Sequence, residues 1–331
     1  MHHPTPPTTE DPLYVDVHTA PHGNDITLVV RAQNHGPCYL VDCGAVDGID
    51  LHDLKRVGAV FVSHTHFDHW TQFDTVFRHF IGTGNTLRVF GPPRIIEHVQ
   101  ARLRSYLWNL AGDDDFVVEV GEIHGTIVTR RARLRAPRWD YEEFYGPLAA
   151  TAIFETNAFR VYATPLDHGT PSVAYRFVTP PDVKFLPENA PERPGRWVGE
   201  LKRAFLAEDG ARGIALPSGT VRADTLYALL AAVPSFHLGI ILDHAASADN
   251  HARIEADFRN YDRVYIESYF WLADRDRATQ KHHSYSRASG AVLHRAGVRA
   301  ATPIHYSRLY RREDAEQLRA EFYAAFAGGV S

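Results

Sequence analysis

Six consecutive residues, His64-Thr65-His66-Phe67-Asp68-His69, hold three imidazoles and a carboxylate, the nitrogen and oxygen donors that zinc prefers. Side chains packed this densely have to be aimed by ordered flanks, and both flanks are legible. Ala59-Val60-Phe61-Val62 is a short apolar, β-branched run that reads as a buried strand. Ser63 opens a loop, and residues 70–81 carry apolar side chains at helical spacing. A ligand-rich loop at the carboxyl end of a strand is where α/β folds place their sites. Structural metal sites draw on fewer, more widely spaced ligands, so the run predicts a functional site rather than a polar turn.

Ser63-His64-Thr65-His66-Phe67-Asp68-His69 resembles the HxHxDH signature of the metallo-β-lactamase fold superfamily, and the rest of the chain is most similar to its ribonuclease Z branch. The resemblance runs over about residues 27–310. It implies an α/β fold, the αββα sandwich of the metallo-β-lactamase fold, with the metal site at one edge. It also implies a ligand set. A strand over 159–164 leads into Pro165-Leu166-Asp167-His168-Gly169 and a Tyr175-Arg176 strand, like the family segment in which a histidine completes the first zinc. In Ile240-Ile241-Leu242-Asp243-His244 an acid directly follows an apolar strand. A carboxylate has two oxygens and suits a bridging role, and the family pattern favours Asp243 over His244. Pro303-Ile304-His305-Tyr306 resembles the closing motif, which makes His305 the last ligand. The implied partition is His64, His66 and His168 on one zinc and Asp68, His69 and His305 on the other, with Asp243 between them. Manganese or iron is an alternative to zinc. Taken residue by residue, His168 and His305 also fit ordinary loop histidines, and Asp243 fits a helix cap.

Ribonuclease Z proteins carry a His-Ser-Thr and a His-Glu-Ala-Thr motif. Here these read His283-Ser284-Tyr285 and Ile266-Glu267-Ser268-Tyr269. The resemblance implies that His283, oriented by Glu267, protonates the departing oxygen as general acid; a cap at Ser284 with His283 beside it is the plainer reading. Ile266 departs from the family histidine. A zinc pair would depress the pKa of a bridging water, and Asp68 would steer the attacking hydroxide as well as ligate.

Other chemistries of the superfamily fit less well. Flavin-linked di-iron members have glutamate where His66 stands, and zinc β-lactamases use a cysteine that is missing near Asp243. The expected activity is therefore phosphodiester hydrolysis, with endonucleolytic trimming of precursor tRNA 3′ ends as the leading task. The alternatives are a small-substrate, cyclic-nucleotide-type phosphodiesterase and a non-catalytic RNA-binding scaffold. Arg308, Arg311 and Arg312 lie near His305 and are candidates for holding substrate phosphates. Arg130, Arg131, Arg133, Arg135 and Arg138, interleaved with Trp139 and Tyr141, form either an RNA-facing stripe or a solvated face. The family's tRNA-gripping arm would fall after the Tyr-Arg strand, where this chain has a short Pro- and Gly-rich stretch.

The 331 residues suffice for one large domain, expected over 13–331 with an insertion near 179–218. Residues 1–12, rich in Pro and Thr, read as a disordered tail and not a signal peptide. No apolar run approaches the ~20 residues of a membrane span, and Cys38 and Cys43 are not expected to pair, so the cytoplasm is the default. A net charge of −5 does not advertise nucleic-acid binding. Family members are often homodimers, which leaves a homodimer possible here, with no interface legible in the sequence. Strands are predicted at 27–32, 38–42, 59–62, 87–90, 116–120, 126–130, 150–155, 159–164, 173–178, 238–242, 263–266 and 300–304. Helices are predicted at 51–57, 92–110, 198–207, 223–232, 249–258, 285–296 and 313–326. Early strands followed by strand–helix alternation predict a sandwich with helices outside both sheets.

Overall fold

The structure, a computed structural model, describes residues 11–20, 24–112, 116–144 and 151–328. The chain forms two compact units, one of them Thr179–Phe236 and the other the residues on either side. The larger unit holds an eight-stranded sheet built, in chain order, from Leu13–Thr19, Ile26–Ala32, Cys38–Val41, Val57–Phe61, Thr86–Gly91, Val117–His124, Ile127–Arg135 and Tyr141–Glu143. Its four central strands run parallel, and its edges are antiparallel. A six-stranded sheet runs in the order Ala300–Ile304, Arg263–Glu267, His237–Ile241, Pro171–Val178, Arg160–Asp167 and Phe154–Glu155.

Phe61 shows why the two sheets meet. Its strand is apolar on both faces, as a central parallel strand must be. The fully buried ring packs against Phe154, Tyr175 and Phe177 of the other sheet, with centroids 5.4–5.6 Å apart. Just beyond the strand, the Tyr175 hydroxyl donates to the Val62 carbonyl (2.6 Å) and the Val173 amide to the Ser63 carbonyl (2.9 Å). The outer face of the first sheet is covered by helix Ile95–Arg104, which buries Ile95, Ile96, Val99 and Leu103. The second sheet packs with helices Ala248–Asp257, Ser286–Arg295 and Ala315–Phe326. The order is helix, sheet, sheet, helix.

Several boundaries differ from expectation for physical reasons. Strand Leu13–Thr19 was not expected; it pairs antiparallel with Ile26–Ala32 and buries only Leu13 and Val15, with Asp16 and Val17 both exposed, so it lacks the period-two burial that would mark it. The helix expected over 92–110 is Ile95–Arg104, because Arg94 sits at φ 76° and the chain beyond exposes Leu107 and Leu110. The helix expected over 223–232 is a 3-10 turn, Ala223–Leu229, followed by strand Leu230–Val233. That strand pairs with Asp182–Phe185, so tertiary pairing overrides helix propensity. This pairing lies in the Thr179–Phe236 unit, which has its own apolar core around Trp197, Leu201 and Ile214. Residues 1–10 of the expected tail lie outside the described residues, while Asp11 pairs with Arg263 at 2.9 Å. Both cysteines are free and buried. Among the described residues no helix is long and apolar enough to cross a membrane.

Candidate metal centre

Strand Val57–Phe61 delivers residues 63–69 to one edge of the sandwich. His66 is the extended N-cap of the short helix Phe67–Trp70, whose turn buries His69 while leaving Asp68 half-buried. The second sheet sends its own strand ends to the same edge: His168 after Arg160–Asp167, Asp243 after His237–Ile241, Glu267 at the end of Arg263–Glu267, and His305 after Ala300–Ile304. Among the described residues five sets of ligand atoms lie mutually within 4.8 Å: those of His64, His66 and His168; of Asp68, His69 and His305; of His64, His69 and Asp243; of His168, Asp243 and His283; and of Asp243, Glu267 and His305. The structure thus brings together all seven residues expected to ligate, with Asp243 in the middle. Its Oδ1 lies 3.3 Å from His69 Nε2 and 2.9 Å from His305 Nδ1; its Oδ2 lies 3.5 Å from His168 Nε2 and 3.8 Å from His64 Nε2.

The fit of these residues to a pair of cations rests on atoms left without partners. His64 Nε2, His69 Nε2, both nitrogens of His305 and Asp243 Oδ1 are buried and make no hydrogen bond. So many buried polar atoms without partners are costly unless an ion satisfies them. Charge follows the same logic. Burial opposes a proton on His69 and His305, yet the carboxylates around them together outweigh it: Asp243 with Asp42 holds the His69 pKa up, and Asp243 with Asp68 holds His305 at about 9. Burial first, then the neighbouring His69, drives His64 well down against the pull of Asp243, toward the neutral form that ligates.

The nitrogens facing away from Asp243 are fixed by a second layer. His69 Nδ1 donates to Asp42 Oδ2 at 2.6 Å, and the Ser63 hydroxyl donates to the same oxygen at 2.6 Å. That hydroxyl is then free to accept from His64 Nδ1, 3.0 Å away. One buried carboxylate therefore sets the tautomer of two histidines, leaving both Nε2 atoms for the centre. His168 Nδ1 donates to the His282 carbonyl at 2.6 Å, with the same result. Asp42 escaped the sequence reading, although it follows strand Cys38–Val41 as Asp243 follows its own strand. Asn24, whose amide donates to Asp68 and at 3.3 Å to the Tyr269 hydroxyl, left no comparable signal.

His283 Nδ1 bonds to Glu267 Oε1, while Glu267 Oε2 accepts from the backbone amides of His244 (3.0 Å) and Ser284 (3.2 Å). Burial and the nearby Asp243 would raise the Glu267 pKa, but the charge of His283 and the side chains of His244 and His283 hold it at about 2, and Glu267 in turn raises His283 against burial. The Tyr269 ring lies flat on the His283 imidazole, centroids 3.7 Å apart and planes within 4°. Ile266, where the resemblance called for histidine, is wholly buried in the core of the second sheet. A cavity of about 500 Å³ is lined by His66, Phe67, Asp68, Asp243, His283 and Arg308, among others.

The other expected contacts fare differently. Of the three arginines near His305, Arg308 lines this cavity. Arg311 lines the adjoining one and lies 3.5 Å from Glu313, and the side chain of Arg312 lies outside what is described. Three of the five arginines in the stripe lie beside acidic partners. Arg130 pairs with Glu97, Glu122 and Glu143, Arg133 with Glu119 and Arg138 with Asp140, while Trp139 is fully buried.

Comparison with known proteins agrees with this architecture. No family model matches the chain. It is 29% identical over 300 residues to ribonuclease Z of Deinococcus radiodurans, spanning 85% of this chain and 86% of that protein. Among solved structures it resembles the metallo-β-lactamase fold protein YhfI from Bacillus subtilis (TM-score 0.56, 15% identity, 96% and 94% of the two chains). It also resembles the short form of human tRNase Z (TM-score 0.53, 14% identity, 89% and 92%).

Proposed function

We propose that this chain, a ribonuclease Z-like member of the metallo-β-lactamase-fold superfamily, is a dinuclear zinc phosphodiesterase that cuts precursor tRNA at its 3′ end. The observation that carries this reading is the pair of three-residue nests joined by Asp243, with their buried nitrogens lacking hydrogen-bond partners. His64, His66 and His168 would hold one ion and Asp68, His69 and His305 the other, with Asp243 shared. Imidazole-rich sets of this kind suit zinc. Bound cations would supply Lewis acidity, making water acidic enough to attack at neutral pH and neutralising charge on the phosphate.

The chain's own residues do the rest. Asp68 Oδ2 takes the Asn24 amide, which leaves Oδ1 to orient the attacking water. His283, kept protonated by Glu267, gives its proton to the departing oxygen as the P–O bond breaks. Arg308 meets the substrate's phosphate charge. The RNA substrate is the partner, and the cytoplasm, where precursor tRNA is processed, is the compartment this reading implies. The test measures cleavage of a precursor tRNA beside hydrolysis of bis(p-nitrophenyl) phosphate, with metal content on the same sample. Both activities, lost together in Asp68→Ala, support the proposal. Hydrolysis of the small diester alone moves the assignment to a small-molecule phosphodiesterase.

A further inference from the structure

Position 67 is one of two open places in the ligand motif, the other being Thr65, and this chain fills it with phenylalanine. The short helix Phe67–Trp70 turns His69 and Trp70 into the interior and leaves the Phe67 ring 77% exposed. Among the described residues no other aromatic ring pairs with it. A lone exposed phenylalanine on a surface is ordinary. This one is fixed between two residues of the centre, His66 and Asp68, and lines the same cavity as Asp243, His283 and Arg308. So large an exposed face gains little from burial on folding. A flat apolar ring lining one cavity with a cationic guanidinium is complementary to a nucleotide. Every base offers a π-face to stack on, and the phosphate offers an anion.

We infer that Phe67 is a stacking platform for the nucleobase beside the scissile phosphate, and that it sets a preference for nucleotide diesters over diesters without a base. This rests on the phosphodiesterase reading above, which fixes where the phosphate lies.

The experiment uses two diesters with one leaving group, the p-nitrophenyl ester of thymidine 5′-monophosphate and methyl p-nitrophenyl phosphate. The wild-type metalloenzyme and Phe67→Ala, Phe67→Leu and Phe67→Trp are compared by kcat/KM on each. Metal content and circular dichroism on every sample establish that fold and centre are intact. The nucleoside-to-methyl ratio should fall about 5- to 100-fold in Phe67→Ala and Phe67→Leu, mostly through KM of the nucleoside ester, and persist in Phe67→Trp. An unchanged ratio in Phe67→Ala overturns the inference while leaving the phosphodiesterase intact. So does a ratio that Phe67→Leu keeps as well as Phe67→Trp, since greasiness alone would then suffice. A wild-type enzyme that hydrolyses neither diester removes the parent reading, and this one with it.

Discussion

Asp42→Asn is the most discriminating perturbation the structure offers. The native carboxylate accepts the Ser63 amide (2.6 Å) on Oδ1, and the Ser63 hydroxyl and His69 Nδ1 on Oδ2. Asparagine can still accept from Ser63 N through its carbonyl oxygen, so the loop keeps much of its support. Its amide nitrogen, however, meets His69 Nδ1 and the Ser63 hydroxyl as a donor. His69 is then pressed to carry its proton on Nε2, and Ser63 to point its hydrogen at His64. Each change spoils one ligand in each three-residue nest. Loss of such an outer partner costs 10- to 100-fold in metal affinity, about 1.4–2.7 kcal/mol per ion. Competition with a chromophoric zinc chelator should show both equivalents weakened in Asp42→Asn. Ser63→Ala removes only the arm to His64, and only one equivalent should weaken. If Asp42→Asn binds both ions as tightly as wild type, or loses one alone, the reasoning about a shared tautomer switch is wrong.

Three further outcomes are expected. His283→Ala should lower turnover by roughly 10²- to 10⁴-fold with zinc content near wild type; an equal loss of both would end the general-acid role. Gly44→Ala should cost on the order of 1–3 kcal/mol in melting experiments and shed metal from the Asp68 side. The added Cβ would lie 2.7 Å from both the Asp68 carbonyl carbon and the Ile26 amide nitrogen, and an unaltered melt with full metal content would count against this. His251 has its pKa pushed down to about 4 by burial, with His244 and Arg295 adding to the effect. Between pH 6.5 and 4 the unfolded chain binds a proton that the folded one refuses, so stability should fall as pH drops through that window. Relative to wild type, His251→Gln should gain about 1–3 kcal/mol at pH 4 over pH 7.5. Parallel pH profiles in chemical denaturation would contradict that.

The chemistry at strand ends was the legible part. A histidine or acid directly after an apolar run is visible in one dimension, and the alternation of strands and helices carries the layers with it. Asp42 obeys the same rule, but the sequence alone sets it inside the strand expected over 38–42, which ends at Val41. The contacts of Asn24 and Tyr269 leave no pattern in one dimension, since they depend on loops that only the folded chain brings to Asp68 and His283. The partners of the arginine stripe are hidden for a related reason. Its counter-charges, Glu97, Glu119, Glu122 and Glu143, lie on neighbouring elements, and a count of basic residues along one strand does not see across the sheet. Segment 223–232 has helical composition, but its last three residues, with Val233, complete a ladder with Asp182–Phe185.

The two sheets contribute unequally in time. His64, His66, Asp68 and His69 come from the first sheet, while His168, Asp243 and His305 come from the second, and each nest draws on both. A chain leaving the ribosome can finish the first layer with residue 143 and still lack three of the seven residues of the centre, one or more in each nest. The last, His305, arrives only near the end of 331 residues. Because domains fold largely as units during synthesis, the nascent protein passes through translation without a complete centre. A product truncated before its final strand carries the signature motif and no means of loading it. On the function proposed above, such a chain would stay inert until the strand that carries His305 had been made.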